Sequence, residues 1–212
     1  MSREALVVRV LAQRVMPVLR LPDAAATLDA VSCLHEAGFR AFEVTMTTPD
    51  AVALIERIVR DRPDSLVGAG TVADLKTASA SIDAGAAFVV SPFVVRGLAG
   101  ACTAAGRVGF VGAFTPGEVA AAIEEGADVV KIFPASTGGP AHIAALASIF
   151  PALPMCPTGG IAETEIAAYL RAGAAMVGAG SQLVDRAALA RGDRATAIAR
   201  ARRYLEFESH GA

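Results

Sequence analysis

Four short stretches of this chain repeat one device. Glu36-Ala37-Gly38-Phe39, Asp83-Ala84-Gly85-Ala86, Glu124-Glu125-Gly126-Ala127 and Arg171-Ala172-Gly173-Ala174 each close a helical pattern with a glycine and then enter an apolar run. Glycine adopts the left-handed backbone of a helix C-cap without a Cβ penalty. The device therefore imposes helix end, sharp reversal and buried strand in succession, and restricts the chain to alternating α/β architectures.

The pattern between these stops is consistent with that restriction. Continuous apolar runs predict buried strands over residues 15–20, 41–45, 66–69, 87–91, 108–111, 128–134, 155–158 and 175–178. Amphipathic segments predict helices between them. One runs over 23–37, with Asp23 as N-cap and Gly38 as its stop. Pro49 is expected to open the next, at a first-turn position where proline is tolerated. Others are expected from about 74 to 84, up to Gly106, and over 116–125, 141–150 and 162–172, with a charged C-terminal segment helical to about Glu206. Eight alternations in 212 residues point to a single parallel (β/α)8 barrel, with an open doubly wound sheet as the alternative. No linker or low-complexity segment divides the chain, so one domain over 1–212 is expected.

Composition narrows the partners. A net charge of -2 argues against nucleic acid or an anionic membrane as the main partner, since both call for a basic face. Cys33, Cys102 and Cys156 are odd in number and lack CxxC spacing, so they read as packed free thiols in a reducing compartment. The first ten residues mix charges into their apolar positions, unlike a signal peptide, and a cytoplasmic setting is expected. His35, His142 and His210 are scattered and give little support to a metal site.

The most informative strand is Asp128-Val129-Val130-Lys131-Ile132-Phe133-Pro134. Alternation puts Val129, Lys131 and Phe133 on one face. Burying an uncompensated ammonium costs several kcal/mol or more, so a lysine here is not placed for stability. The chain has only two lysines, Lys76 and Lys131, and otherwise uses arginine. Arginine stays protonated, whereas a desolvated lysine can serve as a neutral amine nucleophile. The plain alternative is a strand-end lysine whose stem packs while its head reaches water.

A barrel of this kind builds its site at the C-terminal ends of the strands. Those ends carry Arg20, Glu43 with Thr45 and Thr47, Thr71, Ser91 with Pro92, Lys131 with Phe133, Thr158 with Gly159 and Gly160, and Gly180 with Ser181. Glu43 lies between Phe42 and Val44, so it points inward if those two pack on the helices. A carboxylate and an amine converging in a dry cavity suit an acid/base paired with a nucleophile, although a structural ion pair would look the same in sequence. Gly68-Ala69-Gly70-Thr71 permits close backbone approach to a ligand. Thr158-Gly159-Gly160 and Gly178-Ala179-Gly180-Ser181 follow strands seven and eight, where barrels often bind phosphate on backbone N–H groups. Arg20 suits a bidentate grip on a carboxylate.

These motifs together resemble the 2-keto-3-deoxy-6-phosphogluconate (KDPG) aldolases, some of which also act on 4-hydroxy-2-oxoglutarate. The resemblance spans nearly the whole chain through Phe42-Glu43-Val44-Thr45, Val67-Gly68-Ala69-Gly70-Thr71-Val72, Val90-Ser91-Pro92, Val130-Lys131-Ile132-Phe133-Pro134, Pro157-Thr158-Gly159-Gly160-Ile161 and Gly180-Ser181-Gln182-Leu183-Val184. It implies that Lys131 is a Schiff-base lysine and Glu43 the general acid/base. It implies further that Thr71, Pro92 and Phe133 line a pyruvyl pocket and that Thr158, Gly159, Gly160 and Ser181 hold the substrate phosphate. No metal or cofactor is expected, and homotrimers are common in the family. The chain departs from the usual pattern at Thr47, where many members carry arginine. Arg20 resembles the branch that places arginine at the end of strand one. Val111 stands where proline is usual, and Phe93 where glycine or histidine is often seen.

The implied activity is cleavage of a phosphorylated keto-deoxy sugar acid to pyruvate and an aldehyde. Gluconate and galactonate epimers, which differ at one hydroxyl, are not separated by sequence. A phosphosugar epimerase or isomerase using Glu43 without a covalent step, and a phosphometabolite-binding barrel without turnover, are the rivals. Lys131 and Glu43 together disfavour both, whereas the fold alone does not.

Overall fold

The computed structural model of the chain describes residues 1–180 and 182–206. Helix α1 (Arg3–Ala12) comes first. Eight strands follow: β1 (Val15–Leu19), β2 (Ala41–Thr45), β3 (Leu66–Gly70), β4 (Phe88–Val90), β5 (Val108–Ala113), β6 (Val129–Ile132), β7 (Met155–Pro157) and β8 (Val177–Ala179). They alternate with α2 (Ala24–Ala37), α3 (Ala51–Asp61), α4 (Leu75–Asp83), α5 (Leu98–Ala104), α6 (Pro116–Glu124), α7 (Ala135–Ile149) and α8 (Ile166–Arg171), and end with α9 (Arg186–Ala190) and α10 (Arg194–Arg203). The pairing is parallel throughout, β1 to β2 and onward to β7, with β8 against β1. A parallel bridge between Thr158 and Gly178, with Ala175 N–H donating to Met155 O at 2.9 Å, brings β7 beside β8. The sheet is a nearly closed (β/α)8 barrel, as the eight alternations predict.

The four helix-end glycines explain the regular reversals. Gly38, Gly85, Gly126 and Gly173 have φ of 118°, 92°, 84° and 107°, the left-handed region an L side chain rarely adopts. At the other ends Asp23, Asp74 and Thr115 cap α2, α4 and α6 by accepting from the N–H groups of Ala26, Thr77 and Glu118. Such caps are typically worth about 1 kcal/mol each.

Alternation divides the core into two. Phe42, Val44, Val130 and Ile132 pack outward with the helices. Met16, Phe88, Phe110, Val129, Cys156 and Met176 fill the lower barrel, which α1 closes with Leu6 and Val10. The barrel is therefore plugged below and leaves its functional end at the strand C-termini. Cys33, Cys102 and Cys156 are free and buried. Burial pushes the Cys102 and Cys156 thiols up to about 12 and raises Cys33 as well. Alkylation of the native chain at a pH of about 8.5, where an ordinary cysteine is half ionised, is expected to be negligible. All three thiols should react once the chain is unfolded, and rapid native modification would contradict this packing.

Three expectations are corrected and one is extended. Pro49 does not open α3, because Asp50 takes a left-handed φ of 53° and the helix begins at Ala51. The strand expected over 175–178 begins two residues later, at Val177. The helix expected from about 141 is the second piece of α7, and an unforeseen first piece from Ala135 precedes it across a break at Gly139 (φ 63°, ψ -171°). The C-terminal segment is two helices rather than one, separated at Gly192 with φ 72°. No described helix is long and apolar enough to cross a membrane.

Candidate active site

Lys131 and Glu43 meet inside the upper barrel. Their side chains are 6% and 4% exposed, and Lys131 Nζ stands 3.6 Å from Glu43 Oε1. That is ion-pair range but too long for a strong hydrogen bond. Glu43 Oε1 is buried and has no hydrogen-bond partner among the described residues. A buried carboxylate oxygen left unsatisfied is costly, and it marks where a substrate hydroxyl or a water would be bound.

The room for the Glu43 carboxylate comes from a glycine on the neighbouring strand. Glu43 is in register with Gly68, and Lys131 with Gly112. A Cβ added at Gly70 would lie 2.0 Å from Glu43 Oε1, so a side chain there would occupy the carboxylate's own place. At Gly178 an added Cβ would lie 2.3 Å from Thr158 Oγ1. The G-x-G pattern of β3 is thus explained by a close approach, not by a turn alone.

A cleft of about 250 Å³ opens beside Lys131. Among the residues expected from sequence, Arg20, Lys131, Phe133, Thr158, Gly159, Gly160 and Gly180 line it. Phe133 is 40% exposed, and Lys131 Nζ lies 5.6 Å from its ring centroid. Arg20 Nη2 donates to Thr71 Oγ1 at 3.4 Å across the barrel mouth. Thr71 holds a left-handed φ of 59°, a conformation unusual for threonine that turns it at the exit of β3. Gly159 and Gly160 have φ of 100° and 77°. Their loop is fixed from below, since Ala135 N–H donates to Thr158 O at 2.8 Å and Ser136 N–H to Gly159 O at 3.0 Å.

Four expected residues, Glu43, Thr71, Thr47 and Pro92, are not part of this cleft's lining. Thr47 is exposed, and its hydroxyl lies 2.8 Å from that of Thr45, which donates to Leu19 O. Pro92 packs its backbone over β5, where a Cβ on Gly112 would lie 2.2 Å from the Pro92 carbonyl carbon. Ser181 lies outside the described residues. Sequence reasoning missed Val18, Ile161, Gln182 and Arg186, which also line the cleft. Arg186 had one usable signal: it opens the first helix after β8, just past the last of the strand-end loops. A larger hollow of about 710 Å³ lies beside the cleft and shares Arg20 and Arg186 with it. Its other walls are mostly apolar, and neither Lys131 nor Glu43 borders it.

The comparisons with known proteins agree with this geometry. The family model for KDPG and KHG aldolase matches residues 7–200. A 2-dehydro-3-deoxy-phosphogluconate aldolase of Pseudomonas aeruginosa is 33% identical over 199 residues, covering 93% of this chain and 90% of that one. A probable 2-dehydro-3-deoxy-6-phosphogalactonate aldolase of Rhizobium meliloti is 37% identical over 155 residues, covering 72% of this chain and 73% of that one. Among solved structures, the KDPG aldolase of Legionella pneumophila, with pyruvate captured as a covalent carbinolamine intermediate, superposes with a TM-score of 0.85 at 29% identity. That match covers 95% of this chain and 97% of the other. With a buried lysine–carboxylate pair at the barrel mouth and a family model matched over nearly its full length, the chain belongs to the KDPG and KHG aldolase family.

Proposed function

We propose that this aldolase cleaves 2-keto-3-deoxy-6-phosphogluconate to pyruvate and glyceraldehyde 3-phosphate through a Schiff base on Lys131, with Glu43 as general acid/base. The observation that carries the reading is the buried pair, Nζ to Oε1 at 3.6 Å, with Oε1 otherwise unpartnered among the described residues.

As the free amine, Lys131 attacks the C2 ketone to give a carbinolamine. Loss of water leaves a protonated imine, an electron sink for the C3–C4 bond. Glu43, directly or through water, accepts the C4 hydroxyl proton as that bond breaks. The aldehyde departs, the enamine takes a proton at C3, and hydrolysis of the new imine releases pyruvate and the free lysine. The family's Schiff-base chemistry and the captured carbinolamine of the Legionella relative support this order. The test is incubation with pyruvate and borohydride, then mass spectrometry of the lysine peptides. A reduced adduct is expected on Lys131; one found only on Lys76 overturns the mechanism.

In this reading Arg20 and Thr71 hold the substrate carboxylate, and the loops at Gly159, Gly160, Gly180 and Ser181 hold the phosphate through backbone N–H groups. Gly160→Ala tests the phosphate end. The added Cβ would meet Ser136 Cβ at 2.8 Å, at a φ of 77° that an L residue resists. KM for the phosphorylated substrate is expected to rise about tenfold to a hundredfold, the loss of one charge-assisted bond. Cleavage of the shorter 4-hydroxy-2-oxoglutarate to pyruvate and glyoxylate should suffer far less. Equal losses for both would remove the phosphate assignment and leave Lys131 chemistry intact.

The galactonate epimer is a second reading. It is favoured by the similarity to the Rhizobium relative. Comparing kcat/KM for the two epimers decides between them. The proposal also includes a homotrimer, read as a trimer mass by light scattering, and a cytoplasmic setting.

A further inference from the structure

The substrate proposed above carries two anions, a carboxylate beside the ketone and a phosphate at the far end. The described lining of the cleft includes two guanidinium groups, Arg20 and Arg186, and no carboxylate. The two arginines serve different sides. Arg20 follows β1 and reaches Thr71, at the exit of the strand next to Glu43. Arg186 opens α9 and lines the cleft with Gly159, Gly160 and Gln182. Its Nη2 donates to the backbone carbonyl of Arg20.

The guanidinium of Arg186 has no ion-pair partner among the described residues, although Asp23 and Asp29 line the adjoining hollow with it. The neighbouring Asp185 carboxylate accepts from Ala188 N–H and pairs with Arg200 at 3.2 Å. A loop of backbone N–H groups offers dipoles but no net charge. A phosphate dianion held by such a loop alone is under-neutralised, and a guanidinium fork matches its oxygens.

We propose that Arg186 is a specificity-determining residue: its guanidinium adds the charged contact to the Gly159–Gly160 phosphate loop and selects phosphorylated over unphosphorylated substrates. The inference rests on the aldolase reading above, and three measurements separate the two. The first is the ratio of kcat/KM for the phosphorylated substrate to that for 4-hydroxy-2-oxoglutarate, in the parent enzyme and in Arg186→Ala. The ratio is expected to fall about 10- to 100-fold in the variant, mostly through KM, as for loss of a charge-assisted bond. The second is Arg186→Lys, which keeps the charge without the fork and should recover part of the ratio. The third is inhibition of short-substrate cleavage by inorganic phosphate, which should weaken in Arg186→Ala. A parent enzyme with no preference for the phosphorylated substrate overturns the phosphate reading and this inference together. A parent preference that Arg186→Ala leaves intact overturns the inference alone. Equal losses on both substrates, with weaker pyruvate trapping on Lys131, would mean that Arg186 only ties down Arg20, and would also overturn it.

Discussion

Lys131→Arg is expected to abolish aldol cleavage while leaving the fold in place. The loss should be on the order of 10⁴ or more, as when a covalent nucleophile is removed and only binding and electrostatics are left. Arginine is the informative replacement because it keeps a cation opposite Glu43. Removing the charge as well would strand a carboxylate that is 4% exposed, and breaking a buried pair from one side typically costs about 3–5 kcal/mol. With the cation retained, loss of activity reports chemistry and not collapse. Its guanidinium stays protonated and cannot form the imine. Three readouts close the argument. Turnover of the phosphorylated substrate should fall to background. Borohydride in the presence of pyruvate should leave the variant unlabelled. The thermal midpoint should stay near that of the parent, since Val129, Val130 and Ile132 keep β6 packed on both faces. Near-normal turnover in this variant would remove the Schiff base from the mechanism.

Much of this architecture was legible because single residues carried it. A glycine at the end of each of four helices fixes where a strand must begin, and the strand period fixes which side chains turn inward. From these, Glu43 and Lys131 could be placed in the same interior without a structure. The cleft residues Arg20, Phe133, Thr158, Gly159, Gly160 and Gly180 followed from strand ends alone. What was not legible depends on tertiary context. Asp50 takes a left-handed conformation, which aspartate tolerates but does not announce in sequence, and the helix starts after it instead of at Pro49. Gly139 breaks α7 into two pieces, although its sequence surroundings read as loop followed by helix. Arg186 lies in a charged, exposed segment that resembles any solvated helix, and only the closing of β8 against β1 carries it to the cleft. Thr47 differs from these in placement. Its position beyond β2 suggests a substrate contact, and in this structure its hydroxyl lies 2.8 Å from that of Thr45. The space that sequence left unexplained, the glycines at 70 and 178, is filled by the Glu43 carboxylate and the Thr158 hydroxyl.

Glu43→Gln should slow cleavage by about 10²–10⁴, the usual contribution of a positioned acid/base. The amide has the carboxylate's shape, and Gly70 leaves room for it, so the side chain can stay where it is. What is lost is the capacity to accept the C4 hydroxyl proton and the charge that faces Lys131 Nζ at 3.6 Å. The two losses are separable. Trapping of pyruvate on Lys131 by borohydride reads imine formation, whereas cleavage of the full substrate reads proton transfer at C4. The expected pattern is partial survival of trapping with a much larger fall in cleavage. Gly70→Ala gives an independent check, because it moves the carboxylate without changing it: the new Cβ would lie 2.0 Å from Oε1 and force Glu43 aside. Its effect should have the same sign and fall mainly on kcat, since Arg20 and the phosphate loops are untouched. A Glu43→Gln enzyme that cleaves within about threefold of the parent, far short of the acid/base range, would reassign the proton to another group. Water held by the hydroxyls of the barrel mouth would then be the next candidate, and Thr71, which already accepts from Arg20 at 3.4 Å, the first residue to replace.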